Sequence, residues 1–286
     1  MIRSSSLGQA QKTRENFSHA PMSDEVFRGF QRIAMETTGI ELTDGKRAMV
    51  VNRFSRRLGI LGLSCFEEYL SLISDAGHPE AREFIDTLTT NLTYFFREPH
   101  HFEVLRKTVL PQIVKRTKPA TPIRLWSAGC SSGAEPYTLA MVAQDTPEIQ
   151  SRPVKILCTD IDSKMVNATY QGSYSEDQMR GLDKQLKERW FNKTPSGRYQ
   201  ADDALRSMLV CKNLNLFDRW PIKPGVDVIM CRNVLIYFNP GYQKKLLASF
   251  ARIQHPGGFL FLGHSETLEG FKDSYKRVDN TVYEKI

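Results

Sequence analysis

No stretch of this chain reaches 18 consecutive apolar residues, so no segment is suited to cross a bilayer as a helix and direct membrane insertion is not expected. The first twenty residues are polar and lack the apolar core of a signal peptide. They read as a flexible tail, residues 1–20, on a protein expected to be cytoplasmic. Cysteine is sparse: Cys65, Cys130, Cys158, Cys211 and Cys231 are scattered without C-x-x-C spacing. They fit small buried hydrophobes in a reducing compartment better than a disulfide scaffold. The 6 histidines show no ligand spacing, and adjacent His100 and His101 are expected on different sides of their element, so no metal site is expected. A third glycine is missing from the only glycine loop at a strand end, and lysine is absent from it. That removes the dinucleotide fingerprint and the P-loop, and with them a nicotinamide dehydrogenase.

What is present divides into two rhythms. With 286 residues, 41% hydrophobic and 25% charged, the chain has room for one large or two moderate globular domains. Residues 21–90 have helical spacing: Val26, Phe27, Phe30, Ile33 and Ala34; Met49, Val50, Phe54 and Leu58; Phe66, Tyr69, Leu70 and Ile73; Ala81, Phe84, Ile85 and Leu88. Gly39, Gly59, Gly62 and Gly77-His78-Pro79 punctuate them, which predicts a small all-helical domain. The net charge of +7 is uneven, because Lys46, Arg47, Arg53, Arg56 and Arg57 face the single acid Asp44 in this stretch. A basic face of this kind suits an acidic partner, although a solvated helix face has the same composition.

Beyond residue 100 the pattern becomes strand–helix alternation. Strands are predicted at Ile123–Ala128, Val154–Thr159, Leu209–Asn213, Val226–Cys231 and Phe259–Gly263, with a last pair near Tyr275–Val278 and Thr281–Lys285. Helices are predicted at His101–Val114, Glu135–Gln144, Ser163–Tyr170 and Pro240–Ile253, with Asp162 as an N-cap. Apolar strands separated by helices call for a doubly wound, mostly parallel sheet covered on both faces. The region 170–209 exceeds a plain crossover. Glu176–Trp190 reads as helix, and about 190–209 as a small antiparallel β-subdomain insert.

In a doubly wound sheet the ligand lies across the carboxyl ends of the strands. The first strand runs into Ala128-Gly-Cys-Ser-Ser-Gly133, a small-residue loop that opens a helix and lets a ligand approach the backbone at Gly129. The second ends in Thr159-Asp-Ile-Asp162, the third in Asn213-Leu-Asn215-Leu216 and the fourth in Cys231-Arg-Asn233. An acid followed by amides after successive strands suits a nucleoside, with its diol at Asp160. A metal role for Asp160 and Asp162 lacks a histidine or third acid nearby in sequence. A serine nucleophile at Ser131 or Ser132 lacks the G-x-S-x-G frame. His264 reads as structural or rim-forming.

These motifs resemble those of the bacterial chemotaxis receptor glutamate methyltransferases (CheR-type). The resemblance runs in family order across about 22–286, through Leu88-Thr-Thr-Asn-Leu-Thr-Tyr-Phe-Phe-Arg-Glu98, Trp126-Ser-Ala-Gly-Cys-Ser-Ser-Gly-Ala-Glu-Pro-Tyr137, Thr159-Asp-Ile-Asp162, Asn213-Leu-Asn-Leu216, Cys231-Arg-Asn-Val-Leu-Ile-Tyr-Phe238 and Gly263-His-Ser-Glu266. It implies a Rossmann-like methyltransferase domain over 101–286, a linker at 91–100 that contributes to the active site, and S-adenosylmethionine as cofactor with S-adenosylhomocysteine as product. It further implies that Asn91, Thr93 and Arg97 meet the cofactor and reaction centre, and that Glu135 takes its amino group. Asp160 would hold the ribose, Asn215 and Leu216 would border the adenine, and Asn233 would lie near the methionine portion. The family motif usually has a second acid where this chain has Ala134.

The implied reaction is attack of a receptor glutamate oxygen on the methyl group, with Arg97 and Tyr237 as catalytic candidates. A carboxylate is already ionised near neutral pH, so no general base is needed, and alignment and desolvation carry the rate. Structural alternatives are an Arg97 that ties the domains together and a Tyr237 that packs beneath the loop. The basic run Lys46, Arg47, Arg53, Arg56 and Arg57 would bind methyl-accepting chemoreceptor signalling helices, at receptor arrays on the membrane. The compact segment Asn192–Arg206 favours an enzyme independent of a receptor C-terminal tether, and a monomer is expected. Two rival readings are a nucleic-acid methyltransferase and a non-catalytic, cofactor-gated signalling module. Against the first, the chain has neither an N-P-P-aromatic motif nor an aromatic-interleaved basic platform, and no nucleic acid partner is expected. Against the second stand the intact site candidates.

Overall fold

A computed structural model describes residues 21–268, 270, 271 and 273–286. The expected tail at 1–20 lies outside the described residues. The chain divides between Leu88 and Thr89 into two units.

The first unit is four helices, α1 Asp24–Thr38, α2 Arg47–Leu61, α3 Phe66–Ser74 and α4 Pro79–Leu88. Ser23 caps α1 by accepting the Val26 N–H, and Gly39 closes it in the left-handed conformation. The four apolar stripes converge on an aromatic core in which Phe30 meets Phe54 and Phe84 edge-on at 5.2 and 5.4 Å. Phe30, Phe54, Phe84 and Tyr69 are fully buried, each contributing about 1.5–3 kcal/mol of apolar transfer. The basic run is largely spoken for within this unit. Arg57 pairs with buried Glu80, Arg47 with Asp24 at 2.5 Å, and Lys46 donates to the Glu41 carbonyl at 2.9 Å. Arg53 donates to the Leu88 carbonyl at 2.6 Å and so caps the end of α4. Arg56 remains exposed.

The second unit begins with α5 Pro99–Val104, a π-helical turn Leu105–Val109 and α6 Leu110–Arg116. Then follow β1 Ile123–Ala128, α7 Ala134–Gln144, β2 Val154–Asp160, α8 Ser163–Gln171 and the two-residue β3 Ser173–Tyr174. Next come α9 Lys184–Trp190, β4 Phe191–Lys193, β5 Tyr199–Ala201, α10 Asp203–Arg206 and β6 Leu209–Asn213. The chain ends with β7 Val226–Cys231, α11 Pro240–Ile253, β8 Gln254–Leu262, β9 Tyr275–Asp279 and β10 Val282–Lys285. The main sheet has the order β6-β2-β1-β7-β8-β10-β9. Its first five strands are parallel, and β10 and β9 close it antiparallel. Strand order reverses at β1, and the carboxyl ends of β1, β2 and β7 flank that switch point. All six residues of β7 are buried, as a parallel strand covered on both faces requires.

The insert is a three-stranded antiparallel sheet, β3-β5-β4. It recruits β3 from before the predicted helix, and that helix is shorter than Glu176–Trp190. A 3₁₀ turn at Asp177–Met179 is followed by Gly181 at φ +94°, and only then does Asp183 cap α9. A Cβ at Gly181 would stand 2.5 Å from the Phe95 carbonyl oxygen, so the chain turns there on a residue without one. Among the described residues, no helix is long and apolar enough to cross a membrane.

Candidate active site

The loop after β1 is shaped by its two glycines. Gly129 and Gly133 sit at φ +94° and +96°, where L side chains are strained. A Cβ on Gly129 would lie 2.5 Å from Val234 Cγ2, and one on Gly133 would lie 2.6 Å from Tyr174 Oη. Between them Ser131, itself left-handed at φ 49°, turns its N–H toward the end of β2. The loop is bolted down on its far side: Gly129 and Cys130 donate their N–H groups to the Thr159 carbonyl at 2.8 and 2.9 Å, and Thr169 Oγ1 donates to the Ser131 carbonyl at 2.9 Å.

Asp160 ends β2 as a buried carboxylate. Its Oδ2 accepts the Ser131 N–H at 2.8 Å and its Oδ1 accepts the Asp162 N–H at 2.9 Å. Burial opposes the charge, and although these N–H groups favour it, the carboxyl is pushed up to about 6. Asp162 caps α8, as expected, by accepting from Lys164 and Met165. It also accepts from Thr89 Oγ1 at 2.8 Å and Asn91 Nδ2 at 2.7 Å, so one carboxylate anchors the 89–91 segment to the sheet end. Asn91 therefore reaches the candidate site with its side-chain amide nitrogen committed, and its backbone carbonyl accepts from Ser131 Oγ at 3.1 Å.

A second network lies at the ends of β1 and β7. Glu135, in the first turn of α7, accepts from Ser127 Oγ at 2.7 Å and from Arg232 Nη1 at 2.9 Å. The other face of Arg232 donates to the Arg97 carbonyl and lies 3.2 Å from Glu98 Oε2. The Arg232 side chain is 2% exposed, so both pairs are strong Coulombic contacts and costly to break. Burial opposes the charge on Glu98, but the Arg232 guanidinium and the His264 N–H outweigh it, and its carboxyl is held below the usual range. Asn233, left-handed at φ 57°, is held by Glu266: that buried carboxylate accepts the N–H groups of Asn233 at 2.9 Å, Gly263 at 2.6 Å and Ile236 at 3.3 Å. Burial pushes the Glu266 carboxyl up while those N–H groups oppose the shift.

The structure thus brings Asn91, Gly129, Asp160, Glu135 and Asn233 together around the switch point, with Arg97 joined through its backbone. The Arg97 side chain donates to the Leu92 carbonyl at 2.8 Å. Tyr237 Oη stands 3.4 Å from the Thr90 carbonyl, which places that tyrosine at the rim. Asn215 Oδ1 caps its own turn by accepting the Phe217 N–H, and the Leu216 carbonyl accepts from Trp220 Nε1. Thr93 is half-buried between exposed Leu92 and Tyr94. Sequence reasoning missed Arg232, Glu98 and Glu266 as supports, although each lies inside a quoted motif. It also misjudged the histidines. His100 and His101 do not diverge: their rings are 4.0 Å apart, and His264 joins them with its Nε2 3.0 Å from His100 Nδ1.

The Gly129 turn, whose backbone leaves no room for a Cβ beside Val234, the buried acid at Asp160 and the reachable carboxylate of Glu135, whose side chain is 12% exposed, fit the diol and amino group of an adenosyl amino acid. Residues 91–284 match the family described as CheR methyltransferase, SAM binding domain, and residues 25–89 match CheR methyltransferase, all-alpha domain. The chain is 40% identical over 251 residues to a probable chemotaxis protein methyltransferase of Rhizobium etli, covering 86% of this chain and 94% of that protein. It is 37% identical over 256 residues to a chemotaxis protein methyltransferase of Borreliella burgdorferi, covering 87% and 90%. To the Escherichia coli chemotaxis protein methyltransferase it is 34% identical over 288 residues, covering 99% and 98%.

Proposed function

The chain belongs to the CheR methyltransferase family and is an S-adenosylmethionine-dependent enzyme; from that premise we propose how it methylates chemoreceptor glutamates in chemotaxis adaptation. The observation that carries the reading is the pairing of Asp160 with the Gly129–Gly133 loop on one side of the switch point and Glu135 on the other. S-adenosylmethionine supplies an electrophilic methyl group on a sulfonium. Asp160 orients the ribose with the lone pairs its two N–H partners leave open. Glu135 receives the amino group beside Ser127 and Arg232, since each carboxylate oxygen keeps a further acceptor site. Asn215 and Leu216 border the adenine, and Asn233 is posed by Glu266 toward the methionine end.

The acceptor is a receptor glutamate. Its carboxylate oxygen forms the new C–O bond as the methyl–sulfur bond breaks, leaving a methyl ester and S-adenosylhomocysteine. No proton moves, so the protein's task is alignment and exclusion of water. Arg97 and Tyr237 orient the acceptor carboxylate, and Asn91 and Thr93 complete the wall. Arg97 must guide the nucleophile without a tight ion pair, which would stabilise the ground state.

Receptor signalling helices are the proposed partner, met by the basic side of α2 as the enzyme works at membrane-associated arrays. Arg56 is the freest cation of that run, with Lys46, Arg47, Arg53 and Arg57 contributing field while they hold the helices together. The short β4–β5 turn, closed by Thr194 and Arg198, supports an enzyme that acts without a receptor tether. The test is transfer of labelled methyl from S-adenosylmethionine to purified cytoplasmic receptor fragments, with RNA and DNA as parallel acceptors. Alkali-labile label on the receptor is the expected result. Label on nucleic acid, or none on any receptor fragment despite bound cofactor, overturns the reading.

A further inference from the structure

We propose that His100, His101 and His264 form a binding site for one borderline divalent transition-metal ion, of which Zn²⁺ is the type case. The three side chains come from two places in the second unit: α5 supplies the first pair, and the loop after β8 supplies the third. One nitrogen from each lies within 4.8 Å of the other two.

The outer nitrogens are already held. His100 Nε2 lies 3.5 Å from the Asn280 carbonyl, which only accepts, so that nitrogen carries the proton and Nδ1 turns a lone pair inward. His101 Nε2 is 2.9 Å from Thr281 Oγ1, and its Nδ1 lies 3.3 Å from the same Glu98 Oε2 that stands 3.9 Å from His264 Nε2. Consecutive residues 280 and 281 therefore orient both rings, the kind of outer contact that fixes metal-ligating imidazoles. His101 is fully buried, and its Nδ1 has no hydrogen-bond partner although Glu98 Oε2 is 3.3 Å away. A buried ring nitrogen without a hydrogen-bond partner is a cost that a metal ion removes, and the Glu98 carboxylate beside it favours a cation there.

His264 Nε2 and His100 Nδ1 stand 3.0 Å apart with one proton between them. Two nitrogens bound to one tetrahedral Zn²⁺ at about 2.0–2.1 Å stand roughly 3.3 Å apart, so the ion takes the proton's place with little movement of this pair. The His264 side chain is 49% exposed and free to swing toward His101, and solvent fills the fourth position. Local charge also permits the ion. Glu98 and Glu135 together carry two negative charges against the one positive charge of Arg232, leaving a carboxylate surplus beside the imidazoles. Three imidazoles with a nearby carboxylate suit Zn²⁺, Co²⁺ or Ni²⁺ and not Mg²⁺ or Ca²⁺.

The experiment uses the full-length protein stripped of metal by a chelator, titrated calorimetrically with Zn²⁺ and, in parallel, with Co²⁺ followed by visible absorption. One equivalent of Zn²⁺ and the absorption of four-coordinate Co²⁺ are expected. H264Q and H100Q should each weaken Zn²⁺ binding by more than about tenfold. H78Q, which alters a histidine that is not one of the three, should bind as the wild type does. Unaltered circular dichroism without metal shows that the variants fold, and His101 is left intact because it is buried. Absence of stoichiometric Zn²⁺ binding, or equal affinity in H264Q, H100Q and H78Q, overturns the proposal. The outcome is independent of the receptor reading, because no methyl transfer is measured.

Discussion

With Asp160 as the proposed holder of the ribose diol, cofactor binding becomes a proton-linked event. Its carboxyl sits at about 6 in the folded protein because burial opposes the charge. Ribose hydroxyls donate to the ionised form, so below pH 6 binding must first expel a proton. Affinity for S-adenosylhomocysteine, a probe without the sulfonium charge, should therefore be about tenfold weaker at pH 5 than at pH 7. D160N removes the titration and leaves an amide NH₂ facing either the Ser131 or the Asp162 N–H. At pH 7 it should bind the probe more weakly by about 1.5–3 kcal/mol, the range for a hydrogen bond to a charged group. Its affinity should be flat from pH 5 to 7. The same acid acts on stability in a fixed direction. Its folded value is raised above the ordinary 3.8, so its contribution is fully present below that pH and is lost as pH rises through about 6. The amount is on the order of 3 kcal/mol. Calorimetry at pH 5, 6, 7 and 8 on both proteins decides the matter. A wild-type affinity that does not change between pH 5 and 7, or a D160N profile that falls in parallel, refutes the reasoning.

Arg232→Leu should destabilise the fold by about 3–5 kcal/mol in urea denaturation, because Glu135 and Glu98 lose their shared buried cation. Gly133→Ala forces a Cβ into a φ of +96° and against Tyr174, and should cost about 1–3 kcal/mol in a thermal melt together with cofactor affinity. Arg97→Ala should lower kcat on receptor fragments by about 10²-fold, with the affinity for S-adenosylhomocysteine changed much less, measured by methyl transfer and calorimetry. Arg56→Glu should raise KM for receptor severalfold at low salt, an effect that fades as ionic strength rises, with no change in the thermal melt.

Much of the fold is legible in the sequence because burial writes a period into it. The four stripes that begin at Val26, Met49, Phe66 and Ala81 become α1 to α4, and the strand at Ile123–Ala128 has the same bounds in both readings. Glycine is equally legible where geometry demands it, as at Gly129 and Gly133. Three kinds of feature escape. A two-residue strand such as β3 has no period to show. The break before α9 depends on the approach of Gly181 to the Phe95 backbone, residues far apart in the chain. Side chains that act by pairing across the fold are silent as well. Arg232 meets Glu135 and Glu98 only after β7, α7 and the 89–98 segment have docked, and nothing near Arg232 in sequence announces either partner. The basic run shows the converse. Its composition suggests five cations offered to a partner, while packing commits four of them to carbonyls and acids of their own unit.

The two acids proposed for the cofactor site differ in environment, and this difference suits one to an uncharged diol and the other to an amino group. Glu135 shares the Arg232 guanidinium with Glu98, so its charge is only partly compensated, and an incoming amino group supplies the cation that the second carboxylate lacks. Asp160 has backbone N–H donors and no cation, and it holds its charge against burial. A diol, which brings two hydroxyl donors and no charge, is the ligand group that relieves such an acid without forming an ion pair. Exchanging the two environments would fail: an ammonium at Asp160 would be trapped in a buried ion pair, and a diol at Glu135 would meet lone pairs already shared with a guanidinium. The proposed direction of the ligand, ribose toward β2 and amino group toward α7, thus follows from where Arg232 lies.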